Sequence, residues 1–178
     1  MQDKKLLIVI SHDNFDDEEY FIVKESCVKA NISVETASTH MSEAKGRSGA
    51  TVIPDTEIKY VEAGDYDGFV FIGEESASEY YSNPDVLRIV SNAHVTGKLI
   101  AAIGKAVPIL TYTGKLTNLL VTGDITDKSI LEELGAYFSG HDVETSQNFI
   151  TAAGPQAKKE FAEAIVSHIS LESGGYLR

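Results

Sequence analysis

The sequence contains a single cysteine, Cys27, so no intrachain disulfide can form and stability cannot depend on an oxidising compartment. A thiolate-rich zinc site is excluded for the same reason. The five histidines (His12, His40, His94, His141 and His168) are scattered without metal-ligand spacing, and neither a metal nor any other cofactor is expected. Long apolar runs are also missing, and none approaches the roughly 20 residues that span a bilayer. The N-terminal MQDKKLLIVIS has a lysine pair and a short apolar run, but it is too short for a signal peptide and lacks a small-residue cleavage site. These absences argue against a membrane location and make the cytoplasm the expectation. Basic residues are few, 15 against 27 acidic, giving a net charge of −12 with no lysine or arginine cluster. Such a surface repels phosphate backbones, so no nucleic-acid partner is expected.

Two glycine signatures are absent as well. Around Gly104-Lys105 the phosphate-loop pattern Gly-x-x-x-x-Gly-Lys-Ser/Thr fails at both ends, at Leu99 and at Ala106. After the first apolar run the chain reads Ser-His-Asp-Asn, with no dinucleotide-binding glycines.

What is present is the patterning of an α/β protein. The 178 residues, 43% of them hydrophobic, are enough for one domain over residues 1–178 with a substantial core. Leu6 to Ile10 is a continuous apolar run rich in β-branched residues, as expected of a parallel strand covered on both faces. A helix is predicted from about Asp16 to Ala30. Phe15, Glu19, Ile22, Val23, Ser26 and Cys27 repeat near the helical period, and acidic residues crowd its first turn. Further strands are predicted at 32–37, 69–72 and 98–103, with residues 38–49 as a polar loop and Thr51 to Asp55 as a short extended piece. Helices are predicted at 83–94, beginning with Pro84 at its first position, and at 107–113 and 128–134, the last closed by Gly135. The last third also holds Leu119 to Thr122, with no element assigned, and short strands near Val143 and at 149–151 precede a final helix from about 156 to 170. This alternation implies an open, flavodoxin-like parallel sheet with helices on both faces. In such sheets ligands collect at the carboxyl ends of the strands, which here are Ser11 to Asp16, Gly73-Glu74-Glu75 and Gly104-Lys105.

The stretch GKLIAAIGKAVPIL, Gly97 to Leu110, resembles the strand-to-helix elbow of the ThiJ/PfpI family, a branch of the class I glutamine-amidotransferase-like superfamily. Asn14-Phe15-Asp16-Asp17, Thr51-Val52-Ile53-Pro54-Asp55, Asp65-Tyr66-Asp67-Gly68-Phe69-Val70 and Asn83-Pro84-Asp85-Val86-Leu87 match other family segments. So do Leu134-Gly135-Ala136-Tyr137 and Asn148-Phe149-Ile150-Thr151, and the likeness runs nearly the whole chain. The family includes intracellular proteases, deglycases, glyoxalases, chaperones and binding proteins. The resemblance also implies an oligomer, at least a homodimer.

Aligned on the elbow, the family's cysteine falls at Gly104 and its histidine at Lys105. The glutamate that supports the cysteine falls at Asp16, one methylene shorter, and the Gly-Gly pair of the oxyanion hole reads Gly73-Glu74. The acid that a neighbouring subunit supplies in some members falls at Glu79, with a one-residue slip. Glycine at an elbow adopts the turn without steric cost but offers no nucleophile. Cys27, on the apparent core face of the first helix, reads as packing. The expectation is therefore a catalytically degenerate member that binds a small molecule or a protein partner at the former elbow. A lysine-dependent lyase or hydrolase acting through Lys105, residual protease- or deglycase-like activity, and a chaperone-like oligomer are the alternatives.

Overall fold

The computed structural model describes residues 3–172. Among the described residues twelve strands are formed: β1 Lys5–Val9, β2 Asp13–Phe15, β3 Ser33–Ser38, β4 Ala44–Gly46, β5 Thr51–Val52, β6 Thr56–Glu57, β7 Gly68–Phe71, β8 Leu99–Ile103, β9 Leu120–Val121, β10 Tyr137–Phe138, β11 Val143–Ser146 and β12 Phe149–Ala152. The α-helices are α1 Asp17–Lys29, α2 Pro84–Val95, α3 Val107–Tyr112, α4 Lys128–Glu133 and α5 Lys158–Glu172.

Seven strands make the main sheet in the order β11-β12-β8-β7-β1-β3-β6. Every pairing in it is parallel except β11 with β12. The order β3-β1-β7-β8-β12 is the flavodoxin-like winding. From β1 the chain moves outward on one side to β3 and later returns on the other side to β7. The crevice beyond the carboxyl ends of β1, β7 and β8 follows from that reversal.

The apolar runs of the central strands split between two cores because successive side chains point to opposite faces. Leu6, Ile8, Val70, Ala101 and Ile103 face α1 and α5, packing with Val23, Cys27, Phe161, Ile165 and Ile169. Leu7, Val9, Phe69, Phe71, Ile100 and Ala102 face the opposite layer, packing with Val86, Ile89 and Val90 of α2, Leu110 of α3 and Leu131 of α4. Each fully buried side chain of this size contributes about 1.5–3 kcal/mol, an upper figure because the unfolded chain is already partly collapsed.

Local chemistry fixes the helix starts. Asp16 caps α1 by accepting the Glu19 amide at 2.9 Å, and Asn83 accepts the Asp85 and Val86 amides ahead of Pro84 in α2. The segments whose pattern is weak differ from expectation. Within the expected loop 38–49 the chain forms β4, which joins β2 and β5 in a separate three-stranded sheet. β9 pairs with β10 in a ribbon of its own. These two- and three-residue strands exist through long-range pairing and leave no periodic trace in sequence.

Candidate functional site

β8 ends at Ile103 and the chain turns sharply through Gly104 into a single 3-10 turn and then α3. Gly104 has φ +55°, in the left-handed region, so an L-residue here costs about 1–2 kcal/mol of backbone strain. A Cβ at this position would meet nothing closer than Gly154 Cα at 3.6 Å and Glu19 Oε1 at 3.9 Å. The turn thus combines a left-handed backbone with open space where a side chain would project. The adjacent turn is held by Tyr81, whose hydroxyl donates to the Lys105 carbonyl at 2.7 Å.

At the end of β7, Gly73 is required for a different reason. A Cβ there would sit 2.2 Å from the Ile103 carbonyl oxygen, so only glycine lets the ends of β7 and β8 approach. Its amide donates to Glu19 Oε2 at 3.1 Å. That N–H is committed to a carboxyl group and is not free to serve an oxyanion.

The carboxyl group beneath the elbow is Glu19, on the first turn of α1 and only 2% exposed. Burial, reinforced by the charge of Asp16 and only partly offset by the Gly73 N–H, pushes its pKa up to about 8. Burial thus favours the protonated form of Glu19 over the carboxylate around neutral pH. The residue expected in this role, Asp16, is buried but committed elsewhere. It caps α1 and pairs with Arg47 Nη2 at 2.9 Å. The sequence signal for Glu19 was its place in the apolar repeat of α1, between Phe15 and Val23, where an acid has no reason to sit unless it faces a site.

Arg47 follows β4 and was not anticipated. It bridges Asp16 and Glu74, reaching Glu74 Oε2 at 2.5 Å. Asp17 fixes its loop by accepting the Ser48 and Ala50 amides at 2.7 and 2.9 Å. Glu74 lies at the crevice mouth and also accepts the Glu75 amide.

Lys105 is enclosed by oxygen ligands. Its Nζ donates to Thr126 Oγ1 at 2.5 Å and Asp127 Oδ1 at 3.2 Å, with Glu75 and Asp124 at 3.6 and 3.8 Å. Burial alone would lower the ammonium pKa, but the Asp127 bond and the charges of Asp127, Asp124 and Glu75 outweigh it and hold it above the ordinary lysine value. Glu75 thus joins Asp124 and Asp127 around Lys105, whereas Asp16 and Glu74 go to Arg47.

These groups line a cavity of about 170 Å³ formed by Asp16, Glu19, Arg47, Gly73, Glu74, Glu75, Gly104, Lys105, Asp124 and Pro155. Asp16, Gly73, Glu74, Gly104 and Lys105 all lie in this lining. Glu79 is exposed on the turn after Glu75 and takes no part in the lining. Cys27 is buried in the core, and burial pushes its thiol up to about 12. Among the described residues there is no group of three or more His, Cys, Asp or Glu able to hold a metal ion, and no helix long and apolar enough to cross a membrane.

Comparison with known proteins agrees with this architecture. The crystal structure of a ThiJ/PfpI domain protein from Brachyspira murdochii superposes with a TM-score of 0.92 at 28% identity, covering 96% of this chain and 99% of that one. Protein DJ-1alpha of Drosophila melanogaster is 30% identical over 94% of this chain and 80% of its own length. A glutathione-independent glyoxalase of Caenorhabditis elegans, DJR-1.2, is 26% identical over 92% of this chain and 87% of its own. The model of the DJ-1/PfpI family matches residues 4–168, and the chain belongs to that family.

Proposed function

We propose that this protein is a DJ-1/PfpI member without thiol chemistry, in which the elbow cavity binds a small molecule. The observation that carries the reading is Gly104. The turn that would present a nucleophile is intact and its side-chain space is open, yet no atom there can form a covalent intermediate. Cys27 cannot replace it, being buried in the core where α1 packs against the sheet. A Schiff base on Lys105 is opposed by the three carboxylates around its Nζ, because a lysine held protonated is not nucleophilic. The glyoxalase activity named for the nematode relative is accordingly not carried over.

The test is turnover of methylglyoxal and of a fluorogenic peptide by the purified protein beside Lys105→Met. No turnover by either is expected, and borohydride in the presence of methylglyoxal leaves Lys105 unmodified. Turnover abolished by Lys105→Met would overturn the reading and make that lysine catalytic.

A further inference from the structure

One wall of the cavity is built differently from the others. After β7 the chain is extended at Glu74 and then runs through a 3-10 helix, Glu75–Tyr80. Six residues is long for this helix type, whose hydrogen bonds are poorly aligned and which seldom exceeds three or four. Within residues 74–79 only Ala77 is buried, and a methyl group is a small apolar anchor. Glu74 and Glu75, at the start of this stretch, line the cavity.

Both ends of the stretch are fixed. At the start the Gly73 N–H donates to Glu19, and Gly73 lies tight against the Ile103 carbonyl. At the end Tyr80 is buried with its hydroxyl donating to the Ile10 carbonyl at 2.7 Å, and the Tyr81 hydroxyl holds the Lys105 carbonyl. Between these ends the stretch is tied down by Glu74 to Arg47 at 2.5 Å, by Glu75 to Lys105 at 3.6 Å and by the Ser76 hydroxyl to the Asn14 carbonyl at 3.1 Å. The two ion pairs clasp it from different sides, Arg47 from the loop after β4 and Lys105 from the turn after β8. Neither cation depends on the stretch, since Arg47 keeps Asp16 and Lys105 keeps Asp124 and Asp127. Its own backbone bonds are local: the Ala77 N–H donates to the Glu74 carbonyl at 2.9 Å and the Tyr81 N–H to the Ser78 carbonyl at 3.2 Å. So short a helix is not stable by itself, and what holds it is its docking. Fixed ends, little buried apolar surface and ionic contacts between them are the conditions for local opening without global unfolding.

We infer that residues 74–79 are a flap on the elbow cavity, latched by Arg47 and Lys105, whose 3-10 turns melt as one unit to admit and release small molecules. As a gate the flap rests on the reading of the cavity as a ligand site; the opening itself is a property of the ligand-free protein. Arg47 is the main latch. Its pair with Glu74 is short and partly shielded, whereas Glu75 is mostly exposed and farther from Lys105.

The test is backbone amide hydrogen exchange of the ligand-free protein at neutral pH, read by NMR. In the native protein the Ala77 and Tyr81 amides exchange faster than the core amide of Val90, and they respond together. Glu74→Gln keeps an oxygen for the Glu75 amide but loses the charge, and it speeds both amides about threefold to fivefold, the upper range for partly exposed ion pairs. Glu75→Gln speeds them less than about twofold. Raising sodium chloride from about 0.05 M to about 1 M speeds them in the native protein and not in the double variant, Glu74→Gln with Glu75→Gln. The amides of Gly73 and of Asn83, which donate to Glu19 and to the Tyr80 carbonyl, keep their rates throughout. Ala77 and Tyr81 exchanging at the Val90 rate would overturn the flap, because they would then open only by global unfolding. Unchanged rates in Glu74→Gln, or equal acceleration at Gly73, Asn83 and Val90, would overturn the latch. Turnover abolished by Lys105→Met in the assay above would instead remove the ligand-site reading and leave the opening in place.

Discussion

Replacing Glu19 by glutamine should make the protein more stable at neutral pH, and the size of the gain follows from the site. The unfolded chain releases the Glu19 proton near 4.5, while the folded protein keeps it to about 8. Across that window the unfolded state binds fewer protons, so folding stability falls as pH rises, by about 1.4 kcal/mol per unit. Below pH 4.5 both states hold the proton and the group contributes nothing to the pH dependence; above about 8 the loss is complete. Integrated from pH 5 to pH 7, the native protein loses about 2–3 kcal/mol through this one residue. Glutamine is nearly isosteric, retains both hydrogen-bonding directions and has no proton to lose. Urea denaturation of the native protein and of Glu19→Gln at half-unit intervals from pH 5 to 8.5 measures the difference. Contributions of the other titrating groups cancel to the extent that they do not touch Glu19. The two should be close at pH 5, with the variant ahead by about 2–3 kcal/mol at pH 7. Parallel stability curves, separated by less than about 0.5 kcal/mol of drift, would refute the claim that a neutral acid lies beneath the elbow.

Two further substitutions test the elbow itself. Gly104→Cys should fold with a loss of about 1–2 kcal/mol, from the left-handed backbone alone, since the nearest atom to the new Cβ is 3.6 Å away. Its thiol should be alkylated by iodoacetamide in the native state while Cys27 is spared, as read by mass spectrometry; a new thiol that reacts no faster than Cys27 would contradict the open geometry. Gly73→Ala should cost about 3 kcal/mol or more, because its methyl falls 2.2 Å from a backbone oxygen. Gly64→Ala, with nothing within 4 Å, serves as the control by thermal melting, and equal melting temperatures would refute the packing argument.

The legible part of the site lay in strands whose character is local. The runs before Ser11, Gly73 and Gly104 are apolar enough to be buried on both faces, and each ends on a polar turn, so three crevice loops could be placed from sequence. Gly104 and Lys105 were readable because the elbow motif fixes their register within a few residues. Asp16 and Glu19 were not separated correctly. Both are acids in one helical turn, and which one caps the helix and which one points under the sheet depends on how α1 packs against the strands.

Composition and periodicity by themselves determined the layered architecture and the absence of thiol pairing, while the glycine at the elbow came from the resemblance of Gly97 to Leu110 to the family motif. Those properties depend on residue type and on neighbours a few positions away. Tertiary structure alone decided the partners of every charge in the cavity. Arg47 reaches Asp16 and Glu74 because three very short strands pair across distant segments, and Lys105 meets Asp124 and Asp127 from a loop some twenty residues downstream. The upward shift of the Glu19 pKa has the same origin, since burial between α1 and two strand ends raises it, and no local pattern encodes how much water a carboxyl group loses.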